Sequence, residues 1–225
     1  MKGFESQIGY LYKDKALLSL ALTHSSYANE SKKNKSHNER LEFLGDSVLS
    51  IIVSKYLFQN YPDMPEGELS KTRAALVCEK SLAGFAREIG LGSMLLLGRG
   101  EDQNGGRNRD SILADAFEAL IASMYLDGGI SPAEKFVLGF IKKQMKNKQF
   151  VSSFTDYKTE LQEIIQQNKE EKVEYVLVEE SGPAHDKFFC VEVHLNSNVI
   201  GRGEGKSKKI AEQMAAKEAL ELMGE

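Results

Sequence analysis

The stretch ERLEFLGDSVLS, residues 39–50, sets three carboxylates inside an otherwise apolar run. At 100° per residue, Glu39, Glu42 and Asp46 fall within an arc of about 60° on one helical face. Leu41, Leu44, Val48 and Ile52 cluster on the other side and are predicted to face a core. Phe43, Leu49 and Val53 border the carboxylates, so that face cannot be freely solvated along its length. No Lys or Arg occupies the arc to offset the charge. Gly45 sits among the three acids. Glycine in a helix interior costs about 1 kcal/mol relative to alanine, so its presence predicts close approach of another backbone or of a ligand.

A second acidic pair lies in SILADAFEALIAS. Asp115 and Glu118 are three residues apart on one face of an apolar helix, flanked on that face by the small residues Ser111 and Ala122. Two such helices packed together would aim four carboxylates at one spot. Four hard oxygen donors without His or Cys suit Mg²⁺, with Mn²⁺ as a substitute, better than zinc. Acidic pairs at this spacing are usually solvated helix faces; two of them on apolar helices favour a metal site. A di-iron carboxylate bundle is excluded, because none of His24, His37, His185 and His194 has a Glu three residues before it.

Working outward, residues 1–147 read as helical, with apolar residues at three- and four-residue steps in KALLSLALTHSSY, RLEFLGDSVLSIIVSKYLFQNY, GELSKTRAALVCEKSLAGFAREIG and SILADAFEALIASMYLDGG. YPDMPEG (61–67) and GRGEDQNGGRNRD (98–110) separate these runs. Asp110 or Ser111 is the expected N-cap of the helix that follows, and Gly128-Gly129 its end. The loop 98–110, with Arg99, Arg107 and Arg109, could be a solvated connection or an extra contact for a polyanion, with a slight lean to the latter. The polar, basic stretch 142–156 has weak periodicity and contains the expected linker, 148–154. In 155–225 the pattern becomes helix, three alternating strands and helix, so an all-α domain is followed by a small α+β (α-β-β-β-α) domain.

Composition narrows the function classes. The 225 residues carry a net charge of -4 and two cysteines far apart, Cys78 and Cys190, which predicts neither a disulfide framework nor a zinc site. No signal peptide or transmembrane run is evident, so a cytoplasmic protein without membrane partners is expected. Residues 1–151 carry a net of +2 and residues 152–225 a net of -6. A polyanion bound by the C-terminal region must therefore meet a local basic patch rather than bulk charge. Lys206, Lys208 and Lys209, beside the free amides of a helix N-terminus, form such a patch. GRGEGKS resembles a P-loop but is one residue short of the required spacing, and no nucleotide cofactor is expected.

HNERLEFLGDSVLS closely resembles the signature motif of ribonuclease III, and SILADAFEALI resembles the second acidic motif of that family. LALTHSSY (20–27) and PEGELSKTRAALV (65–77) look like its bacterial members in the same order. This resemblance implies that Glu42, Asp46, Asp115 and Glu118 are metal-binding carboxylates, and that Glu39 and Glu66 are two further catalytic-valley acids. It also implies that Phe43 packs across the interface of a homodimer. The C-terminal order resembles a double-stranded RNA-binding domain. Thr159 and Gln162 of KTELQE match positions that meet 2′-hydroxyls, and His185 of GPAHDK matches the tip of a loop entering a second minor groove. Lys206, Ser207, Lys208 and Lys209 of GKSKK match the helix start that spans the major groove. Glu212 departs from this pattern, which often has Lys there, and puts one phosphate contact in doubt.

The implied function is Mg²⁺-dependent hydrolysis of double-stranded RNA to 5′-phosphate and 3′-hydroxyl ends, in processing of ribosomal RNA precursors and other structured RNAs. The alternative is a non-catalytic RNA-binding regulator on a decayed nuclease domain. Clustered acids are costly to keep without a metal, and all six positions are present, which favours the enzyme.

Overall fold

The computed structural model describes residues 2–31, 36–147, 157–166, 172–183 and 187–224. The chain divides into two compact units, Met1–Phe154 and Thr155–Glu225. The expected linker at 148–154 lies outside the described residues.

The first unit contains α1 (Lys2–Ile8), α2 (Lys15–Ala21), α3 (Ser25–Glu30), α4 (Glu39–Asn60), α5 (Glu66–Leu76), α6 (Glu79–Glu88), α7 (Leu91–Met94), α8 (Arg99–Gln103), α9 (Asp110–Gly128) and α10 (Ile130–Met145). Helix α9 is its axis. An apolar sequence nearly all round the helix belongs in a core, and Ile112, Leu113, Phe117, Leu120 and Ile121 are all buried. Phe117 meets Phe85, Phe136 and Phe140 with ring centroids 5.4–5.9 Å apart, an arrangement that stabilises beyond burial alone. Along this helix Ser111, Asp115 and Glu118 are only half-buried and share one face.

Helix α4 packs along α9. Leu41, Val48 and Ile52 are buried, Leu44 is half-buried, and Leu49 and Val53 are fully buried as well. The close approach predicted at Gly45 is to backbone. A Cβ there would have the carbonyl oxygen, carbonyl carbon and Cα of Glu118 all within 3.0 Å. Small residues continue this contact, since Ala21, Ala119 and Ala122 pack with Leu41 in one buried cluster.

Two helical runs are interrupted, and one breaker segment is itself folded. KALLSLALTHSSY breaks between α2 and α3, where Thr23 forms a parallel bridge with Leu96. The run at 67–90 breaks at Val77-Cys78 into α5 and α6. The segment 98–110 is not an irregular loop: it folds as α8 and a 3-10 turn at Gly106–Asn108. Arg107 grips Asp102 through two bonds of 2.7 and 3.0 Å and donates to the carbonyls of Gly92 and Leu95. Arg109 pairs with Glu101 at 2.8 Å. Two of the three arginines offered for RNA thus have acidic partners within the unit. Helix α9 starts at Asp110 itself, with Arg109 in the cap position, and Arg87 ion-pairs with Asp110. Its C-terminal cap is Gly129 at φ 81°, as the double glycine predicts.

The second unit has α11 (Tyr157–Ile165), β1 (Val173–Ser181), β2 (Phe188–Leu195), β3 (Asn198–Gly205) and α12 (Lys208–Met223). The strands form an antiparallel meander in the order β1-β2-β3. Leu161, Ile165, Val193, Ala215, Ala216, Ala219 and Leu220 make the core between helices and sheet. Gly201, Gly203 and Gly205 are the reason GRGEG mimics a phosphate loop. A Cβ on any of them would overlap α12 at Ala215, at Ala211 and Ala215, or at Ile210. These glycines let strand and helix touch.

Candidate active site and nucleic-acid interface

Glu42 enters the site from the first turns of α4, and Asp115 and Glu118 from the middle of α9. The Gly45–Glu118 contact brings the two helices close enough that one carboxylate oxygen of each of Glu42, Asp115 and Glu118 lies within 4.8 Å of the others. All three are half-buried. Burial, followed by the charges of Asp46, Glu42 and Asp115, raises the Glu118 pKa to about 8. Glu42 is raised by burial and then by Asp115 and Glu39. Asp115 is raised by burial and then by Glu79, with His24 pulling the other way. Three carboxylates pushed toward protonation by desolvation and by one another are an incomplete electrostatic arrangement, which a divalent cation would complete by favouring the ionised forms. Hard oxygen donors on both helices fit such an ion.

The structure unites three of the four expected metal-binding acids and leaves the fourth outside. Asp46 is exposed and not part of the close group, although it is the foremost charge acting on Glu118. Glu39 is exposed, with Oε2 3.7 Å from His37 Nδ1. Glu66 opens α5, is exposed, and accepts a bond from Ser70 Oγ at 2.8 Å. Glu39 acts on the cluster through its charge, whereas Glu66 does not join the close group. The sequence reading missed Glu79 and His24, both of which act on Asp115. Their only signal was position. Glu79 stands in the first turn of α6, and His24 belongs to the THSSY segment.

In the second unit Thr159 and Gln162 are exposed on α11, and Lys206, Lys208 and Lys209 are exposed around the start of α12. Ser207 is the N-cap, its Oγ accepting from Ile210 N–H at 3.3 Å, which fixes the helix start from which the lysines project. Lys208 Nζ is 5.9 Å from the Phe189 ring centroid. Glu212, the departure from the expected pattern, accepts from Lys158 Nζ at 2.6 Å, tying α12 to α11. His185 lies outside the described residues.

Phe43 is 79% exposed beside the acidic site. An apolar recess of about 560 Å³ in the same unit is lined by Leu17, Leu20, Leu41, Leu44 and Leu126, with His37 and Arg40 among its polar residues. Among the described residues no helix is long and apolar enough to cross a membrane.

A helical unit with a carboxylate cluster on two facing helices, followed by an α-β-β-β-α unit with a basic helix start, defines a nuclease joined to a duplex-RNA reader. The family model described as Ribonuclease-III-like matches residues 14–145, and that for the double-stranded RNA binding motif matches 157–223. Ribonuclease 3 of Caldanaerobacter subterraneus subsp. tengcongensis is 53% identical over 220 residues, covering 98% of this chain and 96% of its own. Ribonuclease 3 of Bacillus cereus is 51% identical over 226 residues, covering 100% of this chain and 91% of its own. The crystal structure of the ribonuclease III nuclease domain from Campylobacter jejuni is 45% identical, with a TM-score of 0.59, over 64% of this chain and 94% of that one. The chain belongs to the ribonuclease III family, in its bacterial form, and is an endoribonuclease of double-stranded RNA.

Proposed function

We propose that Glu42, Asp46, Asp115 and Glu118 hold Mg²⁺, with Mn²⁺ as a substitute, and that Glu39 and Glu66 assist from the edge of the site. The observation that carries this reading is the group of three carboxylates from two helices, within 4.8 Å of one another and pushed toward protonation. When bound there, the cation supplies a lowered water pKa and neutralises charge at the leaving oxygen. The protein's own part is to keep the three half-buried acids aimed at one point, which the helix contact at Gly45 does. Exposed Asp46, whose charge is the foremost acting on Glu118, would add a further carboxylate for the ion.

In the same reading Thr159, Gln162, His185, Lys206, Ser207, Lys208 and Lys209 form the RNA-binding surface of a domain spanning 155–225. It is joined by the linker 148–154 to a nuclease domain of residues 1–147. Contacts to phosphates and 2′-hydroxyls select an A-form duplex largely without reading sequence. The products carry 5′-phosphate and 3′-hydroxyl ends, and the substrates are ribosomal RNA precursors and other structured RNAs in the cytoplasm. The working form is a homodimer in which exposed Phe43 enters an apolar surface of the partner; the recess of about 560 Å³ near Leu41 and Leu44 is a complementary surface for it.

Incubating long duplex RNA with protein and Mg²⁺, with an EDTA control and a duplex DNA control, tests the reading. Cleavage of the RNA only when the cation is free is the expected result. Asp46→Asn and Glu118→Gln should nearly abolish single-turnover cleavage while binding persists. Normal cleavage by Asp46→Asn, or its failure to fold, would sink the role given to that residue.

A further inference from the structure

Lys158 and Glu212 join the two helices of the second unit at the end where both carry candidate RNA contacts. Lys158 Nζ donates to Glu212 Oε2 at 2.6 Å and lies 4.3 Å from the Tyr175 ring centroid. The Lys158 backbone N–H donates to Gln213 Oε1 at 3.4 Å. One turn further along α12, Lys217 Nζ stands 5.9 Å from the Tyr157 ring centroid. Tyr157 and Lys158, which open α11, are thus fastened to Glu212, Gln213 and Lys217 of α12 and to Tyr175 of β1.

The apolar packing between these helices is of another kind. Leu161 and Ile165 of α11 share a buried cluster with Ala215, Ala216 and Ala219 of α12. Alanine methyls make shallow ridges, so they set how closely the helices lie more firmly than how one is turned against the other. The polar fastening supplies that second constraint. Partly exposed ion pairs contribute little to stability, and these side chains keep 32% and 30% of their surface in water. The pair governs geometry more than the survival of the fold.

Position along each helix gives that geometry a use. Lys158 precedes Thr159 by one residue and Gln162 by four, and Glu212 follows Lys209 by three and Lys208 by four. Residues three or four apart are neighbours on a helix surface, about 5–6 Å from one another. The bridge therefore stands within one turn of the candidate minor-groove residues on α11 and of the candidate phosphate-binding lysines on α12. A lysine at 212 would face the Lys158 ammonium and repel it. Glutamate is the charge that lets the start of α11 close onto α12 here.

We infer that Glu212 is a positioning residue for duplex recognition. Its bridge to Lys158 holds α11 and the start of α12 at the spacing where Thr159 and Gln162 meet 2′-hydroxyls while Lys208 and Lys209 meet phosphates. This rests on the RNA-binding surface proposed above, and the acid itself touches no RNA. Holding the two sets of contacts ready lowers the ordering cost of binding an A-form RNA duplex. A DNA duplex has no 2′-hydroxyl and gains nothing from that spacing.

Glu212→Gln separates the two roles this acid can have, because they differ in sign. For a mere negative charge near a polyanion, its removal tightens RNA and DNA binding alike. For a positioning residue, its removal weakens RNA binding by roughly 3–10-fold. DNA binding then stays equal or tightens, so the ratio of RNA to DNA affinity falls. Fluorescence anisotropy of the full chain with labelled duplex RNA and duplex DNA of one length, in EDTA to prevent cleavage, reads both affinities. Melting temperatures are taken in parallel. Exchanging the charges, Lys158→Glu with Glu212→Lys, should recover the parental ratio, and Lys208→Ala with Lys209→Ala is the control for the surface itself. An unchanged ratio in Glu212→Gln, no recovery on exchange, or an RNA loss that simply follows a lower melting temperature would reduce Glu212 to an ordinary surface charge. If the control binds RNA like the parent, the RNA-surface reading fails instead.

Discussion

The α-carbon of Gly45 faces the backbone of Glu118 so closely that a methyl group cannot stand between them. This contact joins the two acidic motifs. It lets α4 and α9 approach until Glu42 comes within reach of Asp115 and Glu118. Any wider separation would leave two solvated acidic faces instead of one site.

Gly45→Ala follows directly from that geometry. In a solvated helix the change would stabilise by about 1 kcal/mol. Here it forces backbone atoms apart, and overpacking of this kind costs roughly 1–3 kcal/mol. A lower melting temperature is expected, together with weaker Mn²⁺ binding as the acids separate. An unchanged melting temperature would mean that the helices are not in contact at this point.

The raised pKa of Glu118 gives the metal-free protein a characteristic pH dependence. Between the ordinary carboxylate value of 4.5 and about 8, the folded protein holds a proton on Glu118 that the unfolded chain has released. Stability therefore falls as pH rises through this window. Glu118→Gln should remove that contribution, so the gap between variant and parent widens in the variant's favour from about pH 5 to about pH 8. Saturating Mg²⁺ should reverse the order, because the parent then gains from ligand binding. Thermal melts of both proteins across this range, in EDTA and in Mg²⁺, provide the check; parallel curves in EDTA would contradict it.

At the other end of the chain, Lys208→Ala combined with Lys209→Ala should weaken binding of duplex RNA at moderate salt. Each lost phosphate contact should also lower the slope of log K against log salt by nearly one unit. Ser207 still caps α12 in this variant, so the fold should persist. A binding curve with the parental salt slope would show that these lysines do not face the backbone.

Phe43 offers a test of assembly. It is 79% exposed on a helix whose neighbouring apolar residues are mostly buried. An aromatic of this size left in water is typical of an interface anchor. Phe43→Ala should shift sedimentation at low concentration from dimer toward monomer while leaving the melting of the monomeric unit nearly unchanged. A dimer of parental strength would remove Phe43 from the interface.

Much of this protein is determined by local pattern. The 3.6-residue period marked the core face of α4, the double glycine marked the end of α9, and alternation marked the three strands. These signals survive because each depends on residues a few positions apart in one element. The candidate acids were legible for the same reason, as faces of single helices. What lies between distant elements was decided only by the tertiary structure. Thr23 and Leu96 interrupt a helical run because their backbones bridge, and no periodicity encodes a partner some seventy residues away. Glu212 departs from the expected charge because Lys158 on another helix receives it. Arg107 and Arg109 of 98–110 pair with Asp102, Glu101 and two carbonyls. The acidic site itself carries this division. Sequence placed Glu42, Asp46, Asp115 and Glu118 on two faces, but the distance between those faces is a property of helix packing. That packing brings three of them together, leaves Asp46 outside the close group, and lets the charges of Glu79 and His24 act on Asp115.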